Sequence, residues 1–373
     1  MRVINILEDG RLAGPHKRVL GISAHINESF EGCEVFVLLP IHKTELLNLE
    51  LEGFEKNYTR NIIMFPLSKR MLHLVRYLFV FPFTIIQIIM QIKMLKPDLI
   101  HVSGGIWQVT GVIAAIITKT KFVWHMNDSF QPNIVMKFTE YLRNKCENVI
   151  FASEASRKFY EPFFPNASYE VIGSFTDIPT KIKNTYNVGH TFKMITVCNI
   201  SPVKDIEFLI DVVNEIHQSI PVELEVIGPV HSTQQKYFQQ IQAKVRNLGL
   251  DCVHFRGHSP DTKKFLERSD LYICSSKYEA SPVAVWEAMS VGLPVLSTNV
   301  GDLMTYSETS QCLAVIKYRD PKLFAQKAIE IWKNEKLRTE LGQGGLQFVS
   351  LTKNLKIISE QTMNAYMKIH EKV

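Results

Sequence analysis

The chain has 373 residues, too many for one core of ordinary size and about right for two domains. Hydrophobic residues make up 46% and charged residues 21%, which excludes a disordered, collagen-like or low-complexity chain. The net charge of +5 is modest, and no nucleic-acid partner is expected. Cys33, Cys146, Cys198, Cys252, Cys274 and Cys312 are scattered with no C-x-x-C pair. They read as reduced, mostly buried thiols of a cytosolic protein without structural zinc. The chain opens on Arg2-Val3-Ile4-Asn5-Ile6-Leu7, a strand rather than a signal peptide.

Strands alternate with helices through the first half, the pattern of a parallel sheet covered on both faces. Glu8-Asp9-Gly10-Arg11-Leu12-Ala13-Gly14-Pro15-His16 follows the first strand, with a helix expected from about Lys17. A strand, a glycine turn and a helix start form an architecture for holding phosphate. The spacing of Gly10 and Gly14 fits neither G-x-G-x-x-G nor a P-loop, which argues against nicotinamide enzymes and NTPases. Between Lys56 and Lys96 stand seven basic residues (Lys56, Arg60, Lys69, Arg70, Arg76, Lys93, Lys96) and no Asp or Glu. The stretch from Tyr77 to Ile92 is uncharged, but it is shorter than the ~20 residues of a spanning helix and holds Pro82 and Gln87. It reads either as a core helix or as a helix partly exposed to lipid. In the second case each flanking cation near an anionic leaflet is worth about 1 kcal/mol.

Pro97 to Val102 and Lys121 to Asp128 read as buried strands. Their carboxyl ends carry His101, His125 and Asp128, where ligands sit in doubly wound sheets. Val149 to Ser153 is another strand, with Glu154 opening a helix. A polar connection from Ser174 to about His190 reads as a domain linker.

The second half repeats the plan. Lys193 to Asn199 is a strand, and Ser201-Pro202-Val203-Lys204 is expected to open the next helix. A lysine there adds a full charge to the unpaired amides of a helix start. Gly228 and Gly257-His258 close two further strands. The apolar run Leu271 to Cys274 then delivers the chain to Ser276-Lys277-Tyr278-Glu279-Ala280-Ser281-Pro282-Val283-Ala284-Val285-Trp286-Glu287-Ala288-Met289, followed by Gly292-Leu293-Pro294-Val295. Ser281 is expected to cap a helix with Pro282 at its first position, leaving amides free for an anion. Glu279 precedes that site and Glu287 follows, with seven residues between them. A carboxylate beside an anion site is badly placed for phosphate and well placed for hydroxyls. Phosphate and hydroxyls together suggest a nucleotide sugar.

The ordered string of Ser276, Glu279, Pro282, Glu287-Ala288-Met289 and Gly292-x-Pro294-Val295 resembles the signature of retaining glycosyltransferases with the GT-B fold. It looks most like the glycogen-synthase and mannosyltransferase-like family marked by an E-x7-E motif (family 4-like, group 1). The resemblance implies an α/β chain of two Rossmann-like doubly wound domains facing across a cleft. Residues 1–180 would take the acceptor and 181–373 the nucleotide sugar, with 353–373 packing back on the first domain through Tyr366. It implies transfer of a sugar from a nucleotide diphosphate sugar to a hydroxyl of a glycan or lipid-linked acceptor, with retention and without a metal or other cofactor. A bacterial surface-polysaccharide pathway is the expected setting, in the cytoplasm or docked through 56–96 on an anionic membrane surface.

For the site, the resemblance implies that Glu279 and His125 hold the sugar and that Lys204 takes the developing phosphate charge. The backbone of Ala280, Ser281, Pro282 and Val283 shares that charge, and Glu287 binds the ribose. Gly14 belongs to the loop over the diphosphate, and Gly228, Gly257 and His258 border the nucleotide. Three departures from the family pattern stand out. Asn199 occupies the place of an arginine, so donor phosphate binding is expected either to be weaker or to draw on Arg11, Lys17 or Arg18. Asp128 stands three residues past His125 instead of directly after it, and Ser174-Phe175-Thr176-Asp177 replaces an Asn-Gly-Val-Asp turn. Two rival readings stay open: a sugar-nucleotide 2-epimerase on the same fold, and a non-catalytic scaffold of a polysaccharide assembly complex, which Asn199 keeps in view.

Overall fold

The computed structural model describes residues 1–10, 14–43, 47–48, 51, 58–64 and 71–371. Two compact units emerge, Met1–Phe175 with Leu355–Val373, and Thr176–Asn354.

In the first unit seven parallel strands lie in the order β3-β2-β1-β4-β5-β6-β7. They are β1 (Arg2–Ile6), β2 (Glu34–Pro40), β3 (Thr59–Ile62), β4 (Leu99–Val102), β5 (Phe122–Met126), β6 (Asn148–Phe151) and β7 (Ser168–Val171). Alternation along the strands assigns side chains to two faces. Val3, Leu99, Val123 and Ile150 pack with Ile22 and Ile26 of helix Gly14–Ser29 and with Met363 and Tyr366 of helix Leu355–Glu371. Ile4, Ile100 and Trp124 pack with Ile88 and Ile92 of helix Met71–Leu95 and with Val112 of helix Thr110–Thr118. Both faces are covered, so the central strands read as continuous apolar runs.

The second unit repeats this with six parallel strands in the order β10-β9-β8-β11-β12-β13. They are β8 (Phe192–Val197), β9 (Val222–Ile227), β10 (Val253–Gly257), β11 (Leu271–Cys274), β12 (Val295–Thr298) and β13 (Ala314–Ile316). Helices Ile206–His217 and Pro321–Lys333 cover one face, and Val283–Ser290 with Glu335–Thr352 the other. In each sheet the strand order reverses once, between β1 and β4 and between β8 and β11. Such a reversal opens a crevice at the carboxyl ends of the strands.

The division between units falls after Phe175, five residues before the expected boundary at 180. The Phe175 ring fills the space over Gly21, where a Cβ would come within 2.4 Å of it, so the first unit keeps this residue. Thr176 N–H donates to Lys353 O at 2.8 Å and Lys183 N–H to Val291 O at 2.7 Å, which ties the linker to the second unit.

Residues 71–95 form one helix, packed on one face and exposed on the other. Thr84, Ile88 and Ile92 are buried, while Phe79, Phe83, Ile86, Met90 and Met94 are each more than half exposed. The polar breaks dock the helix. Gln87 Oε1 accepts from Ile63 N–H at 2.9 Å, and Thr84 Oγ1 donates to Ile63 O at 2.7 Å, just past β3. Lys93 and Lys96 are exposed. Lys56, Lys69, Arg70 and the Arg76 side chain lie outside the described residues, as does Arg11. Among the described residues no helix is long and apolar enough to cross a membrane.

Candidate functional site

The second unit gathers most of the predicted residues at the carboxyl edge of its sheet. Lys204 lies in the turn after β8, and its ammonium pairs with Glu279 Oε1. The same oxygen accepts from Ser276 Oγ at 2.8 Å. Burial alone would lower the Lys204 ammonium, but the adjacent Glu279 charge and hydrogen bond carry its pKa above the ordinary lysine value. The lysine is therefore a fixed cation throughout the neutral range.

Two local expectations need correction. Residues 201–204 form a turn closed by Lys204 N–H to Ser201 O at 3.0 Å, and the helix opens only at Ile206. Asp205 takes a left-handed φ of 48°, which breaks the backbone path between the turn and the helix. Lys204 consequently acts through its ammonium ahead of the helix and not from the first helical turn. Likewise the helix after β11 begins at Val283, with Pro282 in the capping place at ψ 90°. Ser281 Oγ accepts the Trp286 indole N–H at 3.2 Å, so this hydroxyl anchors the helix to the motif loop from the side. Glu287 sits one turn inside that helix, partly buried.

The glycine positions are explained by close approach. Gly228 has φ of 144°, and a Cβ there would lie 1.9 Å from Cys198 O and 3.3 Å from Asn199 N. Only glycine lets the exit of β9 lie against the exit of β8. Gly228 N–H donates to Gly257 O at 2.7 Å, so three strand ends are stitched together here. His258 follows on the exposed surface. Gly301, after β12, makes a comparable approach: its Cβ would fall 2.5 Å from Ala280 O.

Sequence reasoning gave no role to Arg319 or Asp205. Arg319 donates to Ser275 O at 3.0 Å, Ser276 O at 2.9 Å and Asp205 Oδ2 at 2.5 Å, and Lys277 Nζ stands 3.4 Å from that carboxylate. This network clamps the exit of β11 to the turn that carries Lys204. Its members are far apart in the chain, so no local spacing marks them. At the other end of the sheet lies a cavity of about 610 Å³ lined by Lys181, Lys183, His190, Lys193, Arg268 and Asp270. Lys183 there is engaged by Ser269 O at 2.5 Å and by Asp270 at 3.8 Å.

His125 and Gly14 belong to the first unit. Gly14 opens the helix Gly14–Ser29, three residues ahead of the expected start, and the loop at 11–13 lies outside the described residues. His125 is fully buried near the carboxyl end of β5, with its ring stacked on His101 at 5.3 Å. Burial, the Arg18 guanidinium and His101 together hold the His125 pKa well below the usual histidine range. Arg18 itself is buried and donates to Gly173 O at 3.2 Å within the first unit, while Lys17 is exposed. Asp128 is held in the fold: Tyr160 OH donates to Oδ1 and Gln131 Nε2 donates to Oδ2 at 2.6 Å.

Glu8 lies two residues past β1 and is marked by no sequence pattern. Its carboxylate accepts from Thr110 N–H at 3.0 Å, the start of a helix whose capping residue, Val109, has no side-chain oxygen. Burial pushes the Glu8 pKa from the ordinary 4.5 up to about 7, against the opposing hydrogen bonds from Thr110 and Gly111. Among the described residues no three of His, Cys, Asp and Glu gather into a metal site.

Residues 177–348 match the family model described as Glycosyl transferases group 1. Over 206 residues the chain is 24% identical to the N-acetyl-alpha-D-glucosaminyl L-malate synthase of Bacillus anthracis, a match covering 52% of this chain and 53% of that protein. The chain thus matches about half the length of that relative. The Anabaena Alr3699/HepE structure solved with UDP and glucose aligns over 98% of this chain and 99% of its own, at TM-score 0.80 and 18% identity. S. aureus TarM, solved with Fondaparinux, alpha-GlcNAc-glycerol and UDP, aligns over 98% and 99% at TM-score 0.77 and 12% identity. At such identities the likeness to these structures is one of fold.

The Glu8 shift has a defined consequence for stability. Between pH 4.5 and about 7 the unfolded carboxyl is ionised while the folded one keeps its proton. Stability that Glu8 contributes at acid pH is therefore lost as pH rises through that window, and the loss is complete above it. Thermal melts from pH 4 to 8 should show the wild type losing midpoint relative to Glu8→Gln across the window. Parallel curves for the two proteins would contradict the assignment.

Proposed function

We propose, from the match of residues 177–348 to the family model of the group 1 glycosyl transferases, that the chain is a retaining glycosyltransferase. Its reaction moves a hexose from a uridine diphosphate sugar to a hydroxyl of a glycan or lipid-linked acceptor in surface-polysaccharide synthesis. The observation that carries this reading is the cluster of Lys204, Ser276 and Glu279 beside the helix at Val283, with Glu287 one turn in. The HepE and TarM structures solved with UDP supply the choice of base.

The chemistry asks for stabilisation of a departing diphosphate and of an oxocarbenium-like sugar. Lys204 is a permanent cation for the first task, aided by the amide groups at the start of the motif helix. No metal enters this reading. Glu279, oriented by Ser276 and Lys204, accepts hydrogen bonds from sugar hydroxyls, and Glu287 accepts from the ribose. His125 is assigned a hydrogen bond to the sugar. Asn199 contributes hydrogen bonding without charge, so Lys204 carries more of the phosphate load than where an arginine accompanies it.

Thermal melting with UDP, GDP, ADP and CDP tests the donor class. A ligand at 100 times its dissociation constant adds about 2.7 kcal/mol, and each kcal/mol raises the midpoint by roughly 2–4 °C for a unit of this size. UDP should give a shift of this order, and Glu287→Ala should abolish it. No shift with any nucleotide would remove the proposal.

The exposed row Phe79, Phe83, Ile86, Met90 and Met94, next to Lys93 and Lys96, supports peripheral docking on an anionic membrane at the cytoplasmic face. Sedimentation with vesicles should rise with their anionic lipid content and fall for Phe79→Ser combined with Met90→Ser. Binding indifferent to anionic lipid would end this part of the proposal.

A further inference from the structure

Behind His125 a buried polar chain crosses the first unit. His125 Nδ1 lies 3.2 Å from His101 Nε2, and His101 Nδ1 lies 2.6 Å from the hydroxyl of Tyr366 in helix Leu355–Glu371. All three residues are essentially inaccessible to water. A neutral imidazole has one donor and one acceptor nitrogen, so the contacts admit two opposite proton orders. Burial and the nearby Arg18 guanidinium keep both rings neutral.

Asn5 decides between the two orders. With Ser103 Oγ donating to Asn5 Oδ1 at 2.8 Å, the amide presents its Nδ2 to His101 Nδ1 at 3.5 Å. An N–H at His101 Nδ1 would meet that amide donor to donor. In this arrangement His101 Nδ1 is the acceptor of a hydrogen bond from the Tyr366 hydroxyl. His101 Nε2–H then donates to His125 Nδ1, and the only proton left to His125 is on Nε2. Among the described residues this Nε2 is buried without a hydrogen-bond partner.

We propose that Asn5, His101 and Tyr366 are positioning residues that set His125 as an Nε2–H donor and deny it the role of a base. The proton order stands on the contacts alone; its use on the donor sugar rests on the glycosyltransferase reading above. In that use His125 donates to a sugar or phosphate oxygen, and the last helix of the chain becomes part of the site it supports.

Nitrogen-15 spectra of histidine-labelled full-length protein at neutral pH test the order directly. The wild type should show His125 protonated at Nε2 and bare at Nδ1. Tyr366→Phe combined with Asn5→Leu removes both partners of His101 Nδ1, and should convert His101 and His125 to a mixture of tautomers with transfer slowed roughly tenfold. His125 protonated at Nδ1 in the wild type, or an unchanged order in the Asn5→Leu, Tyr366→Phe double variant, would overturn the proposal. If the wild type shows the Nε2–H order but transfers no sugar from any nucleotide donor, the enzymatic reading falls and the positioning inference survives.

Discussion

A parallel strand can rejoin its sheet only through a crossover, so every strand of such a sheet opens into a loop at the same edge. In the second unit this constraint assembles the site. Asn199 and the Lys204 turn follow β8, Gly228 follows β9, Gly257 ends β10, and Ser276 to Pro282 follow β11. The reversal of order between β8 and β11 separates the two flanking crossovers, and the Lys204–Glu279 pair sits across that gap. Arg319, reaching in after β13, holds both sides of it. Chemistry is thereby placed on loops, but the loops are stitched by backbone bonds and glycine contacts that leave little freedom.

The first unit uses the same edge differently. Its strand ends bury titratable groups: Glu8 under a helix start, Asp128 against Tyr160 and Gln131, and the His101–His125 pair behind them. In low dielectric such groups favour their neutral forms, and their hydrogen bonds then carry direction instead of charge. One unit is organised around a permanent ion pair and the other around buried, hydrogen-bonded titratable groups.

Sequence carried the fold and the motif because both are local. The alternation of apolar strands with helices, and the run from Leu271 to Val295, need no knowledge of distant residues. What it missed was either a single backbone angle or a distant partner. Whether Ser281 or Pro282 caps the motif helix, and whether Lys204 lies in that helix's neighbour or before it, is settled by a few dihedrals. The Lys204 ammonium and its carboxylate are 75 residues apart, and Glu8 and the amide it caps are 102 apart, beyond any spacing rule. The helix at 71–95 was ambiguous for another reason. Its apolar residues occupy both the packed and the exposed face, so periodicity could not separate them.

The most direct test is where UDP sits on the full chain, by crystallography with the nucleotide bound. The account places the diphosphate on Lys204 Nζ and the motif-helix amides, with the ribose hydroxyls on Glu287. UDP found instead at the amino-terminal edge, among Lys183, His190 and Lys193, would contradict it.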